Sequence, residues 1–109
     1  GFELAALRML YISRQQAEEF YAVHRERPFY PGLVEFMSSG PVVVMVLRHE
    51  NAVEEFRRVI GATDPAKADS GTIRAEFGTT VQKNAVHGSD SPENALREAG
   101  FFFSAIEIF

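Results

Sequence analysis

The sequence predicts a small domain of the α+β class, and three observations lead to that prediction. The chain has 109 residues, of which 46% are hydrophobic and 24% are charged, a balance typical of one globular domain. The unbroken apolar run Val42–Leu47 is mostly valine and predicts a strand covered on both faces. Other segments repeat apolar residues at the spacing of amphipathic helices. Strands and helices should share one core, which we expect the ten phenylalanines to fill.

The first two predicted elements are a strand and a helix. Phe2–Ile12 is mainly apolar and is bounded by Ser13, which favours a strand. Ser13 and Gln16 have the spacing of a capping box, and apolar residues then recur at helical spacing. We therefore predict a helix over Ser13–His24, which cannot continue through Pro28.

Two more helices are predicted on either side of the valine-rich strand. Pro31–Met37 should be a short helix with proline in its first turn and Gly40 near its end. Asn51 should cap a longer helix that Gly61 terminates. The predicted buried stripe of this helix consists of Ala52, Val53, Phe56, Val59 and Ile60.

The C-terminal part combines a long loop with a short strand and a helix. Residues 62–83 show little periodicity, and long loops of this kind are usually functional or flexible. Asn84–His87 is a strand candidate. Ser91 followed by Pro92 is a strong helix start. The apolar face of the last helix is predicted to consist of Ala95, Leu96, Ala99, Phe102 and Phe103.

Composition excludes several classes of function. Eleven basic against fifteen acidic residues give a net charge of −4, which does not favour binding to nucleic acid or an anionic membrane. The absence of cysteine excludes disulfides and thiolate metal sites and is compatible with the reducing cytoplasm. No apolar run reaches the roughly 18 residues of a membrane span, and the first residues do not resemble a signal peptide. The three histidines lack metal-ligand spacing, so no protein metal site is predicted.

The stretch Asn84–Ser91, NAVHGSDS, is the most suggestive part of the chain for chemistry. His87 precedes a glycine and a polar turn that leads into a helix N-terminus. A glycine at this place lets a ligand approach the backbone. The residues alone leave two interpretations open, a catalytic histidine or an ordinary polar turn.

Four segments together resemble nucleoside diphosphate kinase, and the similarity runs over nearly the whole chain. Besides NAVHGSDS, these are FYAVHRERPF at 20–29, LVEFMSSGP at 33–41 and GATDP at 61–65. The resemblance implies a ping-pong transfer of the γ-phosphate of ATP or another nucleoside triphosphate to a nucleoside diphosphate. His87 matches the histidine that carries the phosphate, Glu98 a carboxylate that orients the ring, and Ser89 a serine beside them.

The resemblance also assigns residues to the nucleotide. Arg57, Thr63 and Arg74 match phosphate ligands, and Tyr21 matches a residue beside the histidine and the phosphate. Guanidinium groups suit this role because they fix and neutralise phosphate oxygens.

The base and the sugar have their own matching residues. Phe29 and Leu33 match residues that stack on the nucleobase, with Val81 on the other side, and Asn84 matches a group that binds the sugar hydroxyls. Stacking does not read base edges, so base selectivity should be low. Mg²⁺ is expected to arrive on the nucleotide phosphates, because it prefers phosphate and water oxygens.

The fold implied by the resemblance is a ferredoxin-like antiparallel sheet with helices on one face. Residues 1–109 would form one domain that lacks the family's first strand and first helix. That strand carries a lysine in the family. We expect the chain to be part of a longer protein. The alternatives are that it is a truncated form or that another chain supplies the missing strand. The loop 62–83 corresponds to a subunit contact, which implies a homo-oligomer, either a hexamer or a tetramer.

Two other functions compete with the kinase. A nucleotide-binding or assembly module could have kept the pocket but lost turnover together with the lysine segment. A specific nucleic-acid binder is the least favoured, because the chain is acidic and its arginines are scattered.

Overall fold

A two-stranded antiparallel sheet and five α-helices make up the computed structural model, which describes residues 1–109. Strand β1 is Glu3–Leu10 and strand β2 is Val42–Arg48, with Leu10 paired to Val42. Both strands were predicted and are confirmed. A bulge in β1 shifts the register by one residue before Ala6, which changes the face on which the preceding side chains lie.

The helices follow one another along the chain in the predicted order, with one additional helix. They are α1 (Arg14–Phe20), α2 (Tyr30–Met37), α3 (Ala52–Ile60), α4 (Ile73–Phe77) and α5 (Pro92–Phe102). The long loop 62–83 contains α4, which its weak periodicity did not predict. Thr72 begins that helix by accepting a hydrogen bond from the backbone of Ala75.

The local signals at two helix starts are confirmed. Ser13 and Gln16 form a reciprocal capping box, with hydrogen bonds of 3.1 and 2.8 Å. Ser91 caps α5 by accepting from the backbone of Asn94 at 3.1 Å, and Pro92 occupies the first turn. Caps of this kind typically stabilise a helix by about 1 kcal/mol.

The helix predicted over Ser13–His24 is shorter than expected. It ends at Phe20, and Ala22–His24 form a separate turn of 3₁₀-helix. Tyr21 lies between them with φ −97° and buries its ring beside His87, so tertiary packing redirects the chain here. Asn51 does occupy the N-cap of α3, but through a left-handed backbone (φ 54°) and without the side-chain hydrogen bond that was expected.

The prediction that β2 is covered on both faces is wrong. Val43 and Met45 are about half exposed, as is Leu7 on β1, and Met9, the partner of Val43, is 72% exposed. The valines that alternate with them are more buried. The reason is that an antiparallel sheet with helices on one face needs only that face to be covered by protein.

Three other sequence predictions also need correction. Residues 84–87 do not form a strand, because β1 and β2 pair only with each other and no strand lies beside this segment. Leu96 is exposed rather than part of the apolar face of α5, and Val59 is more than one third exposed. The phenylalanines do not all fill the core, because of the ten only Phe20 and Phe103 are buried.

One buried cluster lies where α1 and α2 meet the end of β1. Ile12, Ala17 and Val34 form a buried cluster against which Leu10 and Phe102 pack. Ile60, the last residue of α3, is completely buried. None of the helices is both long enough and apolar enough to span a membrane.

Replacing Ile60 with alanine should destabilise the protein by about 2–5 kcal/mol, because it leaves a cavity in a fully packed position. Urea denaturation would measure the loss. Ile106→Ala is the matched control, since that side chain is 88% exposed and should change stability by less than about 0.5 kcal/mol. Equal losses in the two variants would contradict this description of the core.

Candidate active site

His87 is held by a carboxylate from the last helix. Its Nε2 lies 2.9 Å from Oε1 of Glu98, and the same oxygen accepts a hydrogen bond from Oγ of Ser89 at 2.7 Å. The cap at Ser91 fixes where α5 begins and therefore where Glu98 lies along it. These three side chains, all predicted from the sequence, form one hydrogen-bonded group.

The state of Glu98 determines which nitrogen of His87 carries the proton. Burial alone would raise the pKa of Glu98, but hydrogen bonds from His87 and Ser89 and the charges of His87 and Arg97 outweigh it and lower the pKa. An ionised carboxylate only accepts hydrogen bonds, so Nε2 of His87 must be the donor. In the neutral ring, Nδ1 then has a free lone pair. The His87 side chain is 40% exposed, so a ligand can reach it.

Two arginines hold the backbone on either side of His87. Arg74 donates to the carbonyls of Val86 at 2.8 Å and Gly61 at 3.1 Å, and Arg57 donates to the carbonyl of Gly88 at 3.0 Å. Arg74 is only 5% exposed. Its burial, and the nearby charge of Arg57, lower its pKa. Two cationic groups therefore lie close together next to the imidazole.

The backbone around His87 is specified by tight packing and by one unusual dihedral angle. Ala85 has φ 76°, in the left-handed region that favours glycine. Gly88 is buried, and a Cβ at this position would lie 3.0 Å from the ring of Phe56 and 3.1 Å from Ile60. The loop is therefore fitted to α3 at Gly88 and turned sharply at Ala85.

Two aromatic rings from the end of α1 enclose the histidine. The rings of Phe20 and Tyr21 lie 5.8 and 5.7 Å from the imidazole, both edge to face. Burial, with the charge of Glu98, raises the pKa of Tyr21. The Tyr21 hydroxyl and Nε of Arg74 are buried donors without a hydrogen-bond partner in the protein. Burying such donors without a partner costs about 1–3 kcal/mol each, which the rest of the packing around His87 must offset.

A cavity of about 380 Å³ adjoins this group on the side of α3. Arg57 and Thr63 line it together with Arg58 and Lys67, whereas His87 does not. The backbone of Thr63 is tied to the histidine loop, because Asn84 donates to its carbonyl at 3.2 Å. Arg58 also lines the cavity, and it pairs with Glu55 at 2.7 Å.

The residues matched to a nucleobase lie on α2 and on the loop that crosses it. Phe29 is partly exposed just before α2, and the backbone of Leu33, one turn later, donates to its carbonyl at 3.0 Å. Val81 is exposed in the loop, whose next residue, Gln82, packs closely on Gly32. The start of α2 and the adjoining loop therefore expose apolar side chains, Phe29 and Val81, that could stack on a base.

The structure also contains site residues that sequence reasoning did not select. Phe20 contacts the imidazole, and Arg97 lies 3.7 Å from the second oxygen of Glu98. Helical periodicity gave no signal for Arg97, because adjacent residues on a helix point in different directions. No group of three or more histidine, aspartate and glutamate side chains is arranged to hold a metal ion.

Comparisons with known proteins agree on one family. The family model described as "Nucleoside diphosphate kinase" matches residues 1–108. Nucleoside diphosphate kinases from Chlorobium limicola and Persephonella marina are 60% and 56% identical to this chain over 108 residues, which cover 99% of the chain and 77% of each relative.

Solved structures give the same result. A nucleoside diphosphate kinase from Aquifex aeolicus matches with a TM-score of 0.96 and 53% identity, over 100% of this chain and 79% of that one. A halophilic nucleoside diphosphate kinase from Halobacterium salinarum, solved in complex with CDP, matches with a TM-score of 0.93 and 37% identity, over 100% and 73% of the two chains.

Gly88→Ala should disturb the site through packing alone. The added methyl group would press on Phe56 and Ile60, at a cost of about 1–3 kcal/mol. Thermal unfolding would measure this loss. Gly100→Ala is the control, because nothing lies within 4 Å of its new methyl group and alanine should stabilise α5 by roughly 0.5–1 kcal/mol. A stable Gly88→Ala variant would refute the tight fit.

Proposed function

The chain belongs to the nucleoside diphosphate kinase family of phosphotransferase enzymes, and we propose that it transfers phosphate between nucleotides through a phosphohistidine at His87. One observation carries this proposal. The carboxylate of Glu98 is hydrogen-bonded to Nε2 of His87, whereas the other ring nitrogen, Nδ1, makes no hydrogen bond. The His87 side chain is exposed enough for a ligand to reach it. This is the arrangement that a nucleophilic imidazole needs.

In the first half-reaction, the lone pair on Nδ1 attacks the γ-phosphorus of a nucleoside triphosphate. The bond between that phosphorus and the bridging oxygen breaks, and a nucleoside diphosphate leaves with the electron pair. The ring then has a proton on Nε2 and a phosphoryl group on Nδ1 and carries a positive charge. Glu98 stabilises this charge because its carboxylate accepts from Nε2 at 2.9 Å.

In the second half-reaction, a terminal oxygen of another nucleoside diphosphate attacks the phosphorus. The P–N bond breaks and its electrons return to Nδ1, which restores the neutral ring. Donor and acceptor carry the same chemical group, so one cleft serves both in turn. Kinetics should therefore be of the ping-pong type.

Arg57 and Arg74 are proposed to neutralise the phosphates, with Thr63 and the Tyr21 hydroxyl as additional donors. The two guanidinium groups donate to neutral carbonyls and form no ion pair with a carboxylate. Their positive charges are therefore fully available to an anion. Arg58 differs in this respect because Glu55 already compensates its charge.

The base and the sugar are proposed to lie further out in the cleft. Phe29 and Leu33 offer an apolar surface to one side of the base and Val81 to the other, while the amide of Asn84 faces the sugar hydroxyls. Contacts to ring faces do not depend on base edges, so purines and pyrimidines should both be accepted.

Mg²⁺ is proposed to enter as part of the substrate, bound to the nucleotide phosphates. No group of carboxylates in the chain is arranged to bind a metal ion by itself, and Mg²⁺ prefers phosphate and water oxygens. When bound, the ion would offset the negative charge of the phosphates during transfer.

We further infer that residues 1–109 act as one catalytic domain in a cytoplasmic homo-oligomer, either a hexamer or a tetramer. The loop 62–83 is the proposed subunit contact. In support, this loop exposes Phe77, an aromatic side chain that gains from burial in an interface.

The His87→Gln variant should not become labelled with phosphate from [γ-³²P]ATP, whereas the parent protein should acquire acid-labile label. Glutamine cannot act as the nucleophile, although it preserves polarity and approximate size. Label would be measured after rapid quenching in alkali.

His49→Gln provides the control, because His49 is exposed and contacts Phe2 and Glu50 rather than His87 or its hydrogen-bond partners. It should be labelled like the parent. A parent protein that binds ATP without labelling would instead indicate a nucleotide-binding module without turnover.

Arg74→Ala should slow phosphate transfer by about 10²-fold, the typical cost of losing one donor to a developing anion. The ratio of rates with adenine and cytosine nucleotides should stay the same, because Arg74 is proposed to bind phosphate and not the base. Stopped-flow phosphorylation kinetics would measure both, with exposed Arg14→Ala as the control and circular dichroism to verify folding. Equal rates in Arg74→Ala and the parent would refute this role.

A further inference from the structure

The two oxygens of the Glu98 carboxylate have different partners. Oε1 accepts both hydrogen bonds of the group, from His87 and from Ser89, while the cation nearest to Oε2 is Arg97. The Glu98 side chain is only 13% exposed. A carboxylate at this depth needs compensation, because burial disfavours its charged form.

Arg97 is itself fixed by the end of α1. The guanidinium nitrogen Nη2 that lies 3.7 Å from Glu98 also donates to the carbonyl of Phe20 at 3.4 Å. That carbonyl belongs to the last turn of the helix, where carbonyls lack helical partners and where the helix dipole favours a cation. The guanidinium carbon also lies 5.8 Å from the centre of the Phe20 ring, within range of a cation–π contact.

No other cation compensates Glu98. Its ion pairs are those with His87 and Arg97 alone. Arg57 and Arg74, the other arginines of the site, donate to backbone carbonyls instead. Removing Arg97 would therefore leave Oε2 without a cationic partner and leave the carboxylate freer to rotate away from the imidazole.

We propose that Arg97 is a positioning residue, which acts through Glu98 to keep the proton of His87 on Nε2 and the lone pair on Nδ1. This inference rests on the phosphotransfer proposed above. Arg97 does not touch the imidazole or the expected place of the phosphate. Its role is to hold the carboxylate and, through Phe20, to connect that carboxylate to the helix end that carries Tyr21.

The test compares Arg97→Gln, Arg97→Lys and the control Arg14→Gln with the parent protein. Arg97→Gln should slow the single-turnover formation of phosphohistidine by about two- to fivefold, the range for a partly exposed ion pair. Nucleotide affinity, measured as the Kd for ADP, should not change. Arg97→Lys should recover most of the rate because it keeps the charge, and Arg14→Gln should behave like the parent.

A spectroscopic measurement separates positioning from a general structural effect. Long-range ¹H–¹⁵N spectra of the His87 ring should show the Nε2–H tautomer in the parent and an increased share of the Nδ1–H tautomer in Arg97→Gln. Lysine should restore the parent spectrum. A role limited to packing would lower the melting temperature of both variants without changing the tautomer.

The outcomes distinguish this proposal from the one on which it rests. A parent protein that never becomes phosphorylated would overturn the phosphotransfer function itself. If the parent is phosphorylated and Arg97→Gln shows the same rate and the same tautomer, the positioning role of Arg97 is wrong. A slow Arg97→Lys variant with the parent tautomer would also overturn it, because charge would then not be what matters.

Discussion

The hydrogen bond between Glu98 and His87 is the constraint on which the rest of the site depends. Nε2 of His87 donates to the carboxylate and cannot attack phosphorus, so only Nδ1 can act as the proposed nucleophile. Much of the surrounding structure keeps this bond in place. The cap at Ser91 sets the position of α5, and Ser89 donates to the same carboxylate oxygen. A small fold thereby fixes a side chain that stays accessible to ligands.

The proposed phosphate ligands would allow an acidic protein to attract a polyphosphate. The chain has a net charge of −4, so its overall field does not favour anions. Arg57 and Arg74 make their hydrogen bonds to neutral carbonyls and keep their full charge. These bonds run to the backbone that flanks His87, so the same contacts that shape the loop also place positive charge beside the reactive ring. Anion binding is thus a local property of a few groups.

The sequence predicted the parts of the fold that depend on local signals. The valine-rich strand, the capping box at Ser13 and the start of α5 at Ser91 were all correct, because short-range chemistry determines them. Predictions from the sequence were wrong where packing between distant segments determines the structure. Tyr21 interrupts the predicted helix by burying its ring beside His87, and residues 84–87 have no neighbouring strand to pair with.

Some residues of the site could likewise be predicted from the sequence, and others could not. The resemblance around His87 pointed to Glu98 and Ser89, and the structure places both within hydrogen-bond distance of each other or of the histidine. Arg97 could not be selected from the sequence, because its proposed role depends on a carbonyl on α1 that lies far away along the chain. The left-handed φ of Ala85 has an evolutionary consequence. Glycine there would relieve backbone strain but make the loop more flexible, so selection for stability and selection for a rigid site would favour different residues at this position.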